Sequence, residues 1–118
     1  MRRNKYGAKK TEVDGIIFDS KIESERYRQL KAMEEAGDIH GLELQPEFPI
    51  YVEKEYIGKY TADFSYYDDS GHVVEDVKGM APDAAVRLRL KLVKAVHGVA
   101  VRIWPEKKPK ARKPRRAA

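Results

Sequence analysis

His72-Val73-Val74-Glu75-Asp76-Val77-Lys78 is the stretch on which the fold turns. Asp68-Asp69-Ser70-Gly71, a strong turn signal, precedes it and Gly79 ends it, so it reads as a strand. A strand paired on both sides and covered by helices should be an apolar run. Here two acids and a lysine interrupt it. Asp76 and Lys78 lie two residues apart and so share one face of the sheet, while Glu75 points to the other. An unpaired buried charge costs several kcal/mol, so these groups must be solvated, paired or bound to metal.

Upstream, Tyr56 to Tyr67 is an aromatic-rich strand that carries one outlying acid, Asp63, in Tyr60-Thr61-Ala62-Asp63-Phe64. Phe48-Ile50-Val52 alternates as a strand and ends at the Glu53-Lys54-Glu55 turn. Before it, Ser20 opens a helix with Glu23 at capping-box spacing. Ile22, Tyr27, Leu30 and Met33/Ala36 form its apolar stripe and Gly37 its stop. Thr11-Glu12-Val13 and Ile16-Ile17-Phe18 flank Asp14-Gly15 as a short hairpin. Downstream, a helix runs from Pro82 or Asp83 to His97, with Val86, Leu90, Val93 and Val96 inward and Gly98 terminating it. Val99 to Trp104 is the last strand, closed by Pro105. The order after the hairpin is α-β-β-β-α-β, which predicts an α/β (α+β) domain with a mixed central sheet and helices packed on it.

At 118 residues the chain is one domain, 11–104, between two basic segments. Residues 1–10 hold Arg2, Arg3, Lys5, Lys9 and Lys10 and no acid. Residues 105–118 hold Lys107, Lys108, Lys110, Arg112, Lys113, Arg115 and Arg116 against Glu106. The body between them has 12 basic and 18 acidic residues. An acidic body with basic arms points to a polyanion gripped by the arms, the Pro-containing tail being disordered until it meets a phosphate backbone. Seven phosphate contacts would give a salt slope of roughly −6; a solubilising tail is the plainer reading. Arg87, Lys91 and Lys94 form one stripe on the second helix, equally a nucleic-acid contact or a solvated face.

Cysteine is absent, which removes disulfides, thiolate metal sites and cysteine nucleophiles. The apolar runs at Ile16-Ile17-Phe18 and Val99-Ala100-Val101 are far short of the ~20 residues of a membrane helix. Met1-Arg2-Arg3 opens a polar segment unlike a secretory signal, so a cytoplasmic protein is expected. His40, His72 and His97 show no metal spacing. No Gly-rich phosphate loop or Ser/His/Asp arrangement is present, and no organic cofactor is expected.

Asp63 and Asp76 flank the Asp68–Gly71 turn, and a favourable register would bring them together beside Lys78. Two carboxylates and a lysine suit phosphodiester hydrolysis. Hard oxygen ligands hold Mg²⁺ or Mn²⁺, and a lysine orients the attacking water or neutralises developing charge. A further acid for a second metal would come from Glu23, with Glu25 as the competing choice. Each residue also has a structural reading. Asp76 and Lys78 would make a same-face ion pair, Glu23 would serve only the capping box, and Asp63 would cap a bend.

Ser20-Lys21-Ile22-Glu23, Tyr60-Thr61-Ala62-Asp63-Phe64 and Glu75-Asp76-Val77-Lys78-Gly79 together resemble the PD-(D/E)XK nuclease superfamily, whose core is α-β-β-β-α-β. They look most like small phage-encoded endonucleases and Holliday-junction resolvases of the endonuclease I type, over about residues 4 to 104. Ala62 stands where the name motif has proline, a position with no catalytic role in the family. The resemblance implies Asp63 and Asp76 as metal ligands joined by the Val77 carbonyl, Lys78 as the lysine that assists water, and Glu23 as the helix-borne acid. It also implies branched DNA as substrate, and for a phage protein the cytoplasm of the bacterial host. Paired nicks at a junction would require a homodimer. Gln45 occupies a place where related nucleases sometimes carry an active-site polar residue, and is otherwise a loop glutamine. The alternatives are a non-catalytic nucleic-acid-binding module with structural carboxylates, and a nicking or site-specific endonuclease on linear duplex.

Overall fold

The computed structural model describes residues 10–105. Two helices and eight strands follow in the order β1 (Thr11–Val13), β2 (Ile16–Phe18), α1 (Lys21–Glu35), β3 (His40–Leu44), β4 (Glu47–Val52), β5 (Glu55–Thr61), β6 (Phe64–Asp68), β7 (Gly71–Val77), α2 (Ala84–His97) and β8 (Val101–Trp104). The central sheet has the order β3-β6-β7-β8. Its first three strands are antiparallel neighbours, and β8 returns parallel to β7 after the α2 crossover. The mixed α+β architecture expected from the sequence is therefore present. No helix among the described residues is long and apolar enough to cross a membrane.

Strand membership differs from the sequence reading at two places. The first sheet strand is β3, a segment read as a connection, and Phe48–Val52 belongs instead to a separate β4–β5 ribbon. The continuous strand expected over Tyr56–Tyr67 is broken at Ala62-Asp63 into β5 and β6. The break has a local cause. Gln45 takes a left-handed φ of 52°, and the next residue, Pro46, has no N–H to offer a ladder. Opposite this kink, Gln45 N–H donates to the Asp63 carbonyl at 2.9 Å and Ala62 N–H donates to the Pro46 carbonyl at 3.0 Å. Two long strands thus bend together out of the sheet, and Asp63 sits at the bend.

Both helices start and stop where local chemistry requires. The Ser20 side chain accepts from Glu23 N–H at 3.2 Å. Gly37, at φ 84°, closes α1 with the paired Gly37-to-Glu34 and Asp38-to-Met33 bonds of a Schellman turn. Asp83 caps Val86 N–H at 2.9 Å, and Gly98 ends α2 in the left-handed region. Period-two alternation in β7 sorts the core into two layers. Val73 joins Phe18, Tyr27, Leu30, Phe64 and Tyr66 on the α1 side, and Val74 joins Ile50, Tyr60, Ala62 and Val93 on the α2 side. Val96, expected inward, is 41% exposed, because Val93 and Leu90 already occupy the stripe that faces the sheet.

Candidate active site

The two faces of β7 treat their acids differently. Glu75, on the α1 side, is fully buried and has no route to a ligand. Arg26 of α1 clamps it with two 2.7 Å bonds, Nε to Oε1 and Nη2 to Oε2, and the Tyr66 hydroxyl also donates to Oε2. The Arg26 guanidinium lies 4.9 Å from the centre of the Trp104 ring. Glu75 thus lies on the face of β7 opposite to Asp76, as the alternation in the sequence predicts, and is paired there with a cation.

Asp76 faces the other way. The β6–β7 register ends with Phe64 paired to Glu75, and just beyond that end the Asp63 carboxyl meets the carboxyl of Asp76. Asp63 is fixed there by its own N–H, which donates to the Glu75 carbonyl at 3.1 Å, and by Val77 N–H, which donates to Asp63 Oδ2 at 2.7 Å. Val77 itself lines the pocket that holds both carboxyls. Asp76 Oδ2 accepts from the Tyr60 hydroxyl and lies 3.1 Å from Lys78 Nζ. Tyr60 is a site residue that the sequence reading passed over as one more strand aromatic.

Glu23 is half-buried at the start of α1 and lines the same pocket, whereas Glu25 is exposed. Ser20 caps the Glu23 N–H, while the Glu23 carboxyl is turned to Asp63. The pocket, about 500 Å³, is lined by Asp19, Ser20, Glu23, Lys59, Tyr60, Thr61, Asp63, Asp76, Val77, Lys78, Val86 and Arg89. Gln45 lies next door, beside Glu23 and Asp63 in a smaller cavity of about 210 Å³.

Crowding of acids in this partly desolvated space shifts their titration. Burial, then the hydrogen-bonded Asp76 and the nearby Glu23, push Asp63 up to about 9. Glu23 is also raised, by burial first and then by Asp19 and Asp76. Burial and the bond to Asp76 push the Tyr60 phenol upward, so it stays a donor. Among the described residues no group of three or more His, Cys, Asp and Glu side chains is placed to hold a metal ion by itself. The donor set still fits Mg²⁺ or Mn²⁺, which take one or two protein carboxylates and complete their shell with waters and phosphate oxygens. Asp63 and Asp76 are two such carboxylates, and Lys78 is the cation within reach of Asp76.

The raised carboxyl predicts a pH dependence. In the unfolded chain Asp63 ionises near its ordinary 3.8, whereas the folded protein holds the proton to about 9. The folded state binds more protons across that window, so stability without metal falls as pH rises through it. Thermal melts of the metal-free protein should show a lower Tm at the alkaline end than near pH 5, with Asp63→Asn flattening the difference. Added Mg²⁺ should raise Tm most at the alkaline end, since it binds the ionised pair. Equal pH profiles for wild type and Asp63→Asn would refute the shift.

The family model for a protein of unknown function, DUF1064, matches residues 3–112. The chain belongs to the DUF1064 family. No curated protein and no solved structure matches the chain.

The remaining positions singled out from the sequence of this DUF1064 chain do not gather at the pocket. Arg87, Lys91 and Lys94 are exposed on α2, and Arg87 reaches back to the Pro82 carbonyl at 3.4 Å. At 100° per residue, Arg89 stands about 160° around the helix from Arg87 and is the α2 cation that reaches the pocket. His97, in the last turn of α2, bonds the Pro49 carbonyl at 2.6 Å and ties the ribbon to the helix. Lys10 is exposed beside β1. Arg2, Arg3, Lys5, Lys9, Lys107, Lys108, Lys110, Arg112, Lys113, Arg115 and Arg116 lie outside the described residues.

Proposed function

We propose that this DUF1064 protein is a divalent-metal-dependent endodeoxyribonuclease that hydrolyses DNA phosphodiester bonds, acting on branched DNA in the cytoplasm as a homodimer. The observation that carries the reading is the cross-strand meeting of Asp63 and Asp76, with Lys78 Nζ 3.1 Å from Asp76, at one end of the sheet. A purely structural pair would not need a second buried carboxyl beside the first, since Asp63 must take up a proton to be held there and that uptake opposes folding at neutral pH.

Asp63, Asp76 and the Val77 carbonyl would hold Mg²⁺ or Mn²⁺, with Glu23 next to them. Such an ion supplies positive charge to the phosphate and acidifies a water. The chain supplies the rest. Val77 N–H and the Tyr60 hydroxyl each occupy one oxygen of Asp63 and Asp76, which fixes both carboxyl planes. Lys78, held against Asp76, orients the attacking water or neutralises charge developing on the phosphate. Branch preference rests on the family resemblance together with the acidic body, which disfavours non-specific duplex binding by the core.

The test is incubation with labelled four-way junction and matched linear duplex, in Mg²⁺ or EDTA. Paired nicks on the junction, only with Mg²⁺, are expected. Equal cutting of both substrates would keep the nuclease and remove the branch specificity. Binding without cleavage, in Mg²⁺ and Mn²⁺ alike, would refute the enzyme.

A further inference from the structure

Two cations outside the carboxylate cluster line the same pocket. Arg89 projects from α2 one turn after Val86, and Lys59 precedes Tyr60 on β5. Lys59 Nζ meets Glu47 Oε1 at 2.9 Å, but both side chains are exposed and such a pair holds weakly. Arg89 is exposed and makes no hydrogen bond or ion pair with the described residues. Lys78 is committed to Asp76, so the pocket has an acidic pole with its own lysine and a separate cationic wall.

That wall is also a boundary. Lys59 and Arg89 line a second groove of about 340 Å³, whose other walls include Ile50, Ile57, Leu88 and Leu92. Both cations therefore line the carboxylate pocket and the groove beside it. An arginine keeps its charge at all working pH values, and its planar fork matches two phosphate oxygens.

We infer that Arg89, assisted by Lys59, binds the phosphate next to the one cleaved and so holds a nucleic-acid strand across the pocket. This assignment rests on the nuclease reading and adds to it a second phosphate subsite. Arg89 is a binding residue here, and the reacting phosphate belongs to Lys78 and the carboxylates.

The first arm of the test does not need cleavage. Binding of the full chain to labelled DNA in EDTA is measured from about 50 to about 200 mM salt, for wild type, Arg89→Ala, Arg89→Lys and Lys54→Ala. Lys54 lies at the tip of the β4–β5 ribbon and controls for loss of any surface charge. Arg89→Ala should lower the salt slope by about 0.9 and the affinity about tenfold, whereas Lys54→Ala should leave both unchanged. Arg89→Lys should keep the slope and recover part of the affinity, because the charge remains and the fork is lost. A wild-type slope in Arg89→Ala, or an equal loss in Lys54→Ala, would overturn the subsite. The second arm compares cleavage of DNA with that of bis(p-nitrophenyl) phosphate, which has one phosphodiester and no neighbouring phosphate. Arg89→Ala should slow the first about tenfold and spare the second. Equal loss on both would place Arg89 at the reacting phosphate and overturn the assignment. If the wild type cleaves neither substrate, the nuclease reading fails while the binding arm still decides the role of Arg89.

Discussion

Asp76→Asn should abolish Mg²⁺-dependent cleavage while leaving the protein folded and, at alkaline pH, more resistant to heat. The activity loss follows from position: Asp76 is 4% exposed, cross-strand from Asp63, and its Oδ2 receives both Tyr60 and Lys78. An amide cannot replace a charged oxygen ligand for a hard cation, and losing one preorganised electrostatic group typically costs on the order of 10²–10³ in kcat. A stability gain at alkaline pH follows from the cause of the Asp63 shift, since Asp76 is the neighbour whose charge, after burial itself, opposes ionisation of Asp63. With that charge gone, metal-free Tm above about pH 9, where Asp63 is ionised beside it, should rise by a few degrees, as about 1 kcal/mol moves a domain of this size by roughly 4–8 °C. DNA affinity in EDTA should hold or increase, because a negative charge beside the phosphate has been removed. Lys78→Ala should lose cleavage too and lower Tm, since it leaves Asp76 without its cation. Full cleavage by Asp76→Asn would eliminate the proposed site. Loss of activity through loss of fold would show at once in the melt.

The largest stability effect is expected far from any ligand, at Arg26→Ala. Glu75 is completely buried, and that guanidinium donates two bonds to its carboxylate beside the one from Tyr66. Removing the cation leaves an uncompensated charge in the sheet, which costs about 3–5 kcal/mol. Whole domains have only about 5–15 kcal/mol to lose, so the variant should sit at the edge of unfolding in a denaturant titration. The double variant Arg26→Met/Glu75→Leu should recover much of the loss, because it removes both charges and fills the space with apolar atoms. It should be judged on activity as well. Glu23 lies one turn before Arg26 on α1, and Glu75 adjoins Asp76 on β7, so the clamp also registers the helix acid against the strand acids. A cost below about 1 kcal/mol for Arg26→Ala would mean that the pair is screened like a surface bridge.

The sequence by itself determined what depends on neighbours a few residues apart. The caps at Ser20, Asp83, Gly37 and Gly98 fix both helices through local hydrogen bonds, and the Asp14-Gly15 turn fixes the first hairpin. The two-residue spacing of Asp76 and Lys78 put them on one face, and the same alternation sent Glu75 to the other. Acids in an otherwise apolar central strand marked the candidate site before any contact was known. Only the tertiary structure decided what depends on chain segments far apart. The Asp63–Asp76 meeting needed the β6–β7 register, and the choice of Glu23 over Glu25 needed the docking of α1 on the sheet. The split of Tyr56–Tyr67 came from the opposing Gln45-Pro46 kink, which no pattern within the strand records. Glu75 declared its partner, Arg26, only across 49 residues of chain. Arg89 reached the pocket while the more visible stripe of Arg87, Lys91 and Lys94 did not, because helix rotation is set by the burial of Leu90 and Val93 rather than by where charge is densest.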